Sequence, residues 1–414
     1  MTLSPGTAED PAISVGLVSP GWPPEAIANG IASYTGTIVR GLQELGAHCH
    51  VLTLRPIGES IDPFVKIVRP NMDSIYSKVR RRLSPEAWPQ QAFCNALANE
   101  IQRLHQSDNL DLVEMEESYG WAGMLPRSIS VPTIVRLHGP WFLNGTANGA
   151  KTDASFRWRD RMEGRGLASA TAITAPSADV LKQTRVHFDL ELPLAAVIPN
   201  PVALVDSKDQ WRASECDRNR IIFIGRFDRH KGGDTMLDAF DRIVRQVPNL
   251  KLDFVGPDRG CADEGGRMWS MEQYLGEKLS PPARQNVTFH GFLPGPKAAE
   301  LRKRALVTVA PSRYETFGIA AADAMMAGCP LVVSQAGALT ELVQDGHNGL
   351  VSQPGVADDL AEKILSMLNN PDRAAQLGSA AAVDAKRRYD PAVVAKQTLE
   401  FYRAVIEDRQ NSAR

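Results

Sequence analysis

The chain alternates between short apolar runs and longer segments in which apolar residues recur at helical spacing. Six runs in the first half have the length of strands: ISVGLVS from Ile13, HVLTL from His50, LDLVEME from Leu110, PTIVRLH from Pro132, TAITAPS from Thr171 and AAVIPNPV from Ala195. Helical patterns lie between several of them, as in residues 31–45 and 96–106. Strands that alternate with helices in this way predict a parallel sheet covered by helices.

The same alternation starts again in the second half. A polar, turn-prone segment from Pro201 to Arg220 interrupts the pattern, and the run RIIFIGRF then begins a new series of strands and helices. We predict an α/β fold with two facing Rossmann-like domains, residues 1–200 and 201–390, and a C-terminal helix within 391–414 that returns to the first domain. Ligands of such sheets bind at the carboxyl ends of the strands, so the cleft between the domains is the expected site.

Composition narrows the classes of function. A net charge of −2, with 23% of residues charged, gives no overall attraction to nucleic acid. The five cysteines are scattered and form no Cys-x-x-Cys pair, which indicates reduced thiols and no structural zinc site. The N-terminal residues lack the basic start and apolar core of a signal peptide, and no apolar run has the length of a membrane span. We expect a cytoplasmic protein and leave a peripheral contact with a membrane open.

The stretch PSRYETFGIAAADAMMAGCP, Pro311 to Pro330, places two acids around a small apolar helix. Glu315 precedes the predicted helix and Asp323 lies inside it, eight positions later. Free N–H groups and the dipole at a helix N-terminus favour an anion, so this loop suits a phosphorylated ligand whose hydroxyl groups contact the two acids. The alternative is a capped core helix that contains one buried, hydrogen-bonded Asp.

A second stretch, FIGRFDRHKGGD, carries two cations directly after a predicted strand. Arg226 follows Gly225, and Lys231 lies five residues further on. Arg offers a planar fork of donors and Lys a movable charge, which together suit a diphosphate that gains charge as it leaves. An ordinary solvated basic loop is the alternative. Since no Asp-x-Asp triplet occurs in the sequence, we expect a metal-independent reaction in which side chains and helix dipoles stabilise the diphosphate.

With these motifs in place, the chain from Val15 to about Leu399 resembles the retaining glycosyltransferases of family 4, whose two-domain arrangement is called GT-B. The resemblance rests on several motifs that occur in order: Gly225-Arg226 with Lys231-Gly232, Glu315 with Asp323, Gly337 with Glu341, and the segment IPNP that contains Asn200. Two positions depart from the family pattern. Asp323 stands where the family has a longer Glu, and NGIASY has one glycine, Gly30, followed by Ile31 where the family has a pair.

The resemblance implies transfer of a sugar from a nucleotide diphosphate sugar to a hydroxyl acceptor, a growing glycan or a lipid-linked sugar, with retention of configuration. It implies no cofactor apart from this donor substrate. The residues that it assigns to catalysis are Arg226, Lys231, Glu315 and His138, and those that it assigns to donor binding are Gly30, Gly225, Thr316, Phe317, Gly318, Ile319 and Asp323. In the family, the first acid contacts the transferred sugar and the second the ribose.

Other features leave alternatives open. We expect Ser177 to cap the helix that follows it. The basic segments Lys78–Arg82 and Phe156–Arg161 are either solvated faces or contacts for an anionic acceptor or a lipid surface. Two further functions are compatible with the same motifs: a sugar-nucleotide-binding subunit without catalysis, for which Asp323 and Ile31 are the reasons, and a nucleotide-sugar epimerase, which the Glu315 region makes the weaker alternative.

Overall fold

The computed structural model describes residues 12–27, 29–57, 62–192, 194–263 and 265–412. Residues 1–11, where we expect no signal peptide, and residues 413–414 of the predicted C-terminal segment lie outside the described residues. None of the helices in these ranges is both long and apolar enough to cross a membrane.

The first half of the chain forms a seven-stranded parallel sheet in the order β3-β2-β1-β4-β5-β6-β7. Its strands are β1 (Ser14–Ser19), β2 (His48–Thr53), β3 (Val65–Ile67), β4 (Leu112–Glu116), β5 (Thr133–Arg136), β6 (Ala172–Ala175) and β7 (Ala195–Val197). The helices that cover it are α1 (Gly30–Glu44), α2 (Ile75–Leu83), α3 (Ala87–Asp108), α4 (Trp141–Ala147), α5 (Ala154–Ser169) and α6 (Ala178–Phe188). Short 3₁₀ helices occupy Pro24–Ala26 and Ser118–Met124.

The second half forms a six-stranded parallel sheet in the order β12-β9-β8-β13-β14-β15. Its strands are β8 (Asp217–Ile224), β9 (Lys251–Val255), β12 (Val287–Gly291), β13 (Ala305–Ala310), β14 (Leu331–Ser334) and β15 (Leu350–Ser352), and an antiparallel hairpin joins β10 (Cys261–Ala262) to β11 (Met268–Trp269). The helices are α7 (Gly233–Val244), α8 (Met271–Glu277), α9 (Pro281–Asn286), α10 (Gly295–Arg304), α11 (Ile319–Met326), α12 (Leu339–Leu342), α13 (Ala357–Asn369) and α14 (Pro371–Tyr389).

The predicted class of fold is confirmed: two parallel α/β sheets form, each with its own buried core. The apolar runs become strands because both faces of each sheet are covered; every side chain of β1, β4, β13 and β14 is buried. Strand order reverses beside β1 in the first sheet and beside β8 in the second. The loops at these two points are where ligands of doubly wound sheets bind.

The last helix, α15 (Pro391–Ser412), crosses from the second half to the first. Its buried residues Val394, Leu399 and Val405 belong to the same hydrophobic cluster as residues of α1 and β1. The Tyr402 hydroxyl donates to Oε2 of Glu114 on β4 at 2.8 Å. The two halves are therefore joined twice, by the segment between β7 and β8 and by α15.

A second set of contacts crosses the cleft at the start of α6. Ser177 caps this helix, as expected, by accepting from the Val180 N–H at 3.3 Å, and its hydroxyl donates to the Thr316 carbonyl at 3.0 Å. Glu341 of α12 accepts from the N–H groups of Ala178 and Asp179 at 2.9 and 2.8 Å. A carboxylate of the C-terminal half thus completes a helix N-terminus of the N-terminal half.

Candidate active site

Three connected cavities occupy the cleft between the halves. The central cavity, about 660 Å³, is lined by both halves; the C-terminal cavity, about 310 Å³, is formed by the second half alone; the lateral cavity, about 1170 Å³, lies between the β8 loop and α4. Glu315, Gly318 and Ile319 line both the central and the C-terminal cavity, and Arg226 lines the C-terminal and lateral cavities. All the residues predicted for catalysis and donor binding line the central or the C-terminal cavity.

The loop after β8 holds the two predicted cations in fixed positions. Asp228 organises it: one carboxylate oxygen accepts from Arg226 Nε at 2.6 Å and the other from the Lys231 N–H at 2.7 Å. Gly232 has a left-handed φ of 71°, and a Cβ there would lie 2.1 Å from the Pro311 carbonyl oxygen, so only glycine fits. The sequence Lys-Gly therefore keeps this loop pressed against the loop that follows β13.

Lys231 points directly at Glu315. Its Nζ lies 2.6 Å from Glu315 Oε1, which also accepts from the Ser312 hydroxyl at 2.8 Å. Burial alone would raise the pKa of Glu315, but Lys231 and the Ser312 hydrogen bond outweigh it, so the net pKa is lowered. Glu315 is therefore an ionised carboxylate at neutral pH and Lys231 is its counter-ion.

The residues from Thr316 to Ile319 lead into the N-terminus of α11 and face the cavities. Gly318 caps the helix in the left-handed region, with a φ of 89°, and a Cβ there would meet Leu339 at 2.7 Å. Within the described ranges, the N–H groups of Gly318 and Ile319 donate to no protein acceptor. Such free donors at a helix start suit an anionic ligand.

Asp323 lies one turn into α11 and faces the central cavity rather than the C-terminal one. Its side chain is 40% exposed, and Oδ2 lies 3.8 Å from Nη1 of the buried Arg302 on α10. The enclosing walls of the cleft raise the pKa of Asp323, and Arg302 partly offsets this. The acid is neither fully buried nor well hydrogen-bonded, which leaves oxygen atoms available to a ligand.

The N-terminal wall of the central cavity is built around His138, just past the end of β5. Both oxygens of the buried Glu117 accept from the loop, Oε2 from the His138 N–H at 2.9 Å and Oε1 from the Gly139 N–H at 2.7 Å. The His138 ring packs edge-on against Tyr34 with 4.9 Å between centroids. Burial, together with Arg136, holds the pKa of His138 well below its usual value, so the imidazole is neutral at physiological pH.

Gly30 and Ile31 begin α1 on the same wall. Asn29 caps this helix: its side-chain oxygen accepts from the N–H groups of Ile31 and Ala32 at 2.8 and 3.4 Å. A Cβ on Gly30 would meet no atom within 4 Å, so packing within the protein does not require glycine here. Open space above Gly30 allows a ligand to approach the backbone closely.

Arg159 is a residue of the basic segment on α5 that reaches the central cavity. Its guanidinium lies 4.1 Å from the centroid of Trp141 and 4.4 Å from that of Tyr119, and Nε donates to Glu163 at 2.9 Å. Burial raises the pKa of Glu163 to about 7, with a contribution from Glu117. The sandwich fixes Arg159, whose remaining N–H donors have no partner among the residues described.

Two site residues that the sequence did not single out close the cleft. Asn148, after α4, accepts from Arg226 Nη2 at 3.0 Å, and its Oδ1 lies 3.1 Å from His230 Nδ1. The other ring nitrogen of His230 bonds the Tyr314 carbonyl at 2.8 Å. His230 precedes Lys231, so the motif could have indicated it; Asn148 lies in a loop whose sequence has no recognisable pattern.

Across the described residues, no group of three or more His, Cys, Asp or Glu side chains is placed to hold a metal ion.

Comparison with sequence families covers most of the chain with two domain descriptions. Residues 28–205 match the family described as Glycosyltransferase Family 4, and residues 206–384 match Glycosyl transferases group 1. The boundary between the two matches falls in the segment that joins the two sheets. Each match thus covers one half of the molecule, and the predicted site residues lie in both.

Individual relatives agree with this. A D-inositol 3-phosphate glycosyltransferase from Arthrobacter sp. (strain FB24) is 24% identical over 407 residues, which cover 94% of this chain and 93% of that protein. A sucrose-phosphate synthase from Thermosynechococcus elongatus has a similar fold, with a TM-score of 0.69 and 20% identity over 96% of this chain and all of that one. The structure of Anabaena HepE in complex with UDP gives 0.65 and 18% over 95% of this chain and all of that one. The two halves of the chain thus match the two glycosyltransferase families, and the whole chain has the GT-B fold.

Proposed function

We propose that this glycosyltransferase moves a hexose from a nucleoside diphosphate sugar to a hydroxyl group of a glycan or a lipid-linked sugar, with retention of configuration and without a metal ion. The observation that carries the proposal is that Arg226 and Lys231 line the C-terminal cavity beside Glu315, which lines both that cavity and the central one. The three residues combine two cations and one ionised acid, which are the groups needed for a diphosphate and a polyhydroxyl ring side by side.

In the proposed reaction the base lies in the C-terminal cavity, the ribose lies at the junction with the central cavity, on the side of Asp323, and the transferred sugar extends into the central cavity. The bond between the anomeric carbon and the phosphate oxygen breaks while a bond to the acceptor oxygen forms on the same face, and the leaving phosphate oxygen takes the acceptor proton. Arg226, Lys231 and the free N–H groups at the start of α11 stabilise the charge that grows on the leaving diphosphate.

The acid and the histidine have positioning roles in this scheme. Lys231 and Ser312 already hold the Glu315 carboxylate in place. In this scheme it accepts hydrogen bonds from hydroxyl groups of the transferred sugar and does not attack the anomeric carbon. The neutral His138 acts from the opposite wall as a hydrogen-bonding group near the sugar. That HepE, a protein of similar fold, binds UDP supports a nucleoside diphosphate as the donor's leaving group.

Arg226→Ala and Lys231→Ala test the diphosphate assignment. Each removes a charge-assisted donor to the leaving group, so we expect a rise in the barrier of about 2 to 4 kcal/mol, or a fall in kcat/KM on the order of 30- to 1000-fold. Uridine and guanosine diphosphate sugars are first ranked by thermal shift, and release of free nucleoside diphosphate is then measured with a panel of hydroxyl acceptors. Lys251→Ala, at an exposed position on β9, is the matched control.

Near-normal turnover in both variants would show that Arg226 and Lys231 do not stabilise the leaving diphosphate. The same assay in excess chelator tests metal independence, because activity that chelation abolishes and manganese or magnesium restores would contradict it. Binding of a nucleotide sugar without any release of nucleoside diphosphate across the acceptor panel would instead favour a binding subunit.

A further inference from the structure

Helix α2 exposes its apolar side chains rather than burying them. Ile75 is 83% exposed, Leu83 73%, Tyr76 59% and Val79 49%. The helix is nevertheless well formed, since the Ser74 hydroxyl caps it by accepting from the Ser77 N–H at 3.1 Å. Four large apolar residues in water on nine residues of helix are unfavourable unless another surface covers them.

These side chains lie on one face of α2. At 3.6 residues per turn, Ile75, Val79, Leu83 and Tyr76 fall within an arc of roughly 100°. Ser77, the buried residue of this helix, lies on the other side, about 150° from the centre of that arc. The helix is attached to α3 through Tyr76, whose ring meets Trp88 edge-on with 5.3 Å between centroids. The apolar face therefore points away from the body of the protein.

Basic side chains flank this apolar face. Lys78, Arg80 and Arg82 lie about 110°, 90° and 70° from the centre of the face, whereas Arg81 lies on the opposite side, and α2 contains no acidic residue. In the part of the chain that the structure describes, none of the four makes an ion pair with a carboxylate; Arg80 donates to the Tyr76 hydroxyl at 3.0 Å. An outward apolar stripe bordered by unpaired cations is the pattern of a helix that lies in the interface of an anionic bilayer.

The position of α2 in the fold fits that orientation. It follows β3 and precedes α3, so it lies at the edge of the first sheet where the strands have their carboxyl ends. At the same edge, Ser118 after β4 and His138 after β5 line the central cavity. A protein held on a membrane through α2 would keep the N-terminal wall of the central cavity at the membrane-facing edge of this sheet.

We propose that α2 is a docking surface for anionic lipid bilayers: Ile75, Val79 and Leu83 enter the interface while Lys78, Arg80 and Arg82 contact lipid phosphates. The inference is independent of the transfer reaction, because it concerns binding to the lipid surface alone. Attraction to the surface falls with salt, since it acts over a Debye length, while the apolar part persists.

Sedimentation of the full chain with vesicles tests the proposal. We expect binding to phosphatidylcholine vesicles that contain phosphatidylglycerol, and little binding to phosphatidylcholine alone. The variant Lys78→Gln/Arg80→Gln/Arg82→Gln should lower the partition coefficient on the order of 100-fold. The variant Ile75→Ser/Leu83→Ser should weaken it at both low and high salt. Affinity for the nucleoside diphosphate should not change in either, because α2 lines none of the three cavities.

Matched controls remove the same groups elsewhere. Arg218→Gln/Lys251→Gln/Lys386→Gln removes three exposed charges, and Val186→Ser/Val383→Ser removes two exposed apolar side chains, away from α2. Vesicle binding equal to wild type in both α2 variants, or equal loss in the controls, would overturn the proposal. So would a wild-type dimer in the absence of vesicles that dissociates in Ile75→Ser/Leu83→Ser, because a second copy of the chain would then cover the face.

Discussion

At the scale of single residues, the site depends on charges that are shared between loops. Glu315 takes a hydrogen bond from Ser312 in its own loop and an ion pair from Lys231 in another, while Asp228 positions both Lys231 and Arg226. Because each acid fixes a cation that faces the cavity, the acids organise the cations before any ligand binds. Such preorganisation is the main way in which a protein stabilises charge that develops during a reaction.

Asp323 is the residue whose role the structure sharpens most. Its carboxylate faces the central cavity, 40% exposed and 3.8 Å from Arg302. If it binds the ribose, Asp323→Asn should weaken binding of the nucleoside diphosphate about 10-fold with little change in kcat, because a contact remote from the reacting bond is similar in ground and transition states. Asp323→Glu should retain binding, since the cavity leaves room for one more methylene.

Calorimetry with the nucleoside diphosphate and melting temperatures of both variants separate the two readings of this acid. Asn keeps the shape of Asp and removes its charge. A lower melting temperature of Asp323→Asn with unchanged affinity for the nucleoside diphosphate would mean that Asp323 stabilises the fold through Arg302 and does not bind the ligand. Glu362→Gln, at an exposed position on α13, controls for the loss of one acid.

The side chains predicted from the sequence line the cleft, whereas their hydrogen-bond partners were not predicted. Glu315 and Asp323 stood out because carboxylates beside an apolar helix are unusual, and both line the cleft. Asn148 and Ser312 could not be singled out, because their meaning comes from contacts with Arg226 and Glu315 that only folding creates. Arg159 could not be distinguished from the other cations of its basic segment, because its stacking against two aromatic rings exists only in the folded chain.

At the scale of elements, the carboxyl end of β4 gathers acids that the sheet buries. Burial, with the neighbouring Glu117, raises the pKa of Glu116 from 4.5 to about 7. A raised pKa means that the folded state binds the proton more tightly than the unfolded state, so this group stabilises the fold below about pH 4.5 and the stabilisation is lost as pH rises through 7.

Glu116→Gln should therefore flatten the dependence of stability on pH. Between pH 5 and 8, we expect the free energy of unfolding of this variant to fall by on the order of 1 to 3 kcal/mol less than that of wild type. Urea denaturation at pH 5, 6.5 and 8 measures it, with Glu362→Gln as the exposed control. Parallel pH curves for wild type and Glu116→Gln would show that this carboxyl titrates alike in the folded and unfolded states.

The attachment of α15 to the first sheet gives a second prediction at this scale. The buried Glu114 accepts from Tyr402 of α15 at 2.8 Å and from Tyr34 of α1 at 3.0 Å. Tyr402→Phe leaves one oxygen of a buried carboxylate without its donor, so it should lower the free energy of unfolding by about 1 to 3 kcal/mol.

Tyr389 offers a matched control for Tyr402. It is equally buried, but within the described residues its hydroxyl has no hydrogen-bond partner. Tyr389→Phe removes the same atom and should be neutral or slightly stabilising, because nothing is left unpaired. Equal destabilisation of the two variants, measured by chemical denaturation, would place the effect in packing and exclude a specific role for the Glu114 hydrogen bond.

Whether an element could be predicted from the sequence depends on how its side chains are buried. Strands such as β1, β8 and β13 contain continuous apolar runs because both sheet faces are covered, and these runs were recognised. Helices α2 and α5 were not predicted as helices, because their apolar residues do not form an inward stripe: α2 turns its apolar face outward, and α5 buries Glu163 beside Leu167.

At the scale of the whole molecule, two sheets and a cleft followed from the alternation of apolar runs, but the angle between the sheets did not. That angle depends on a few contacts across the cleft, which leave no periodic pattern in the sequence. In the structure they cluster at the start of α6, where Glu341 and Tyr314 of the second half meet Asp179 of the first, and at Asn148 with Arg226. Closure of the cleft is what brings His138 and Glu315 to opposite walls of one cavity.

Glu341 should therefore control how far the halves stay closed. It accepts two hydrogen bonds from backbone N–H groups at a helix N-terminus, where a negative charge is favoured, and Glu341→Ala removes both at a cost to the closed state on the order of 1 to 3 kcal/mol. We expect a larger radius of gyration by small-angle scattering and an affinity for the nucleoside diphosphate sugar that is weaker by up to about 160-fold, because part of the binding energy must then close the cleft. Glu362→Ala, which removes an exposed acid from the same half, should change neither quantity. An unchanged radius of gyration and affinity in Glu341→Ala would mean that α15 and the segment between the sheets alone set the angle between the halves.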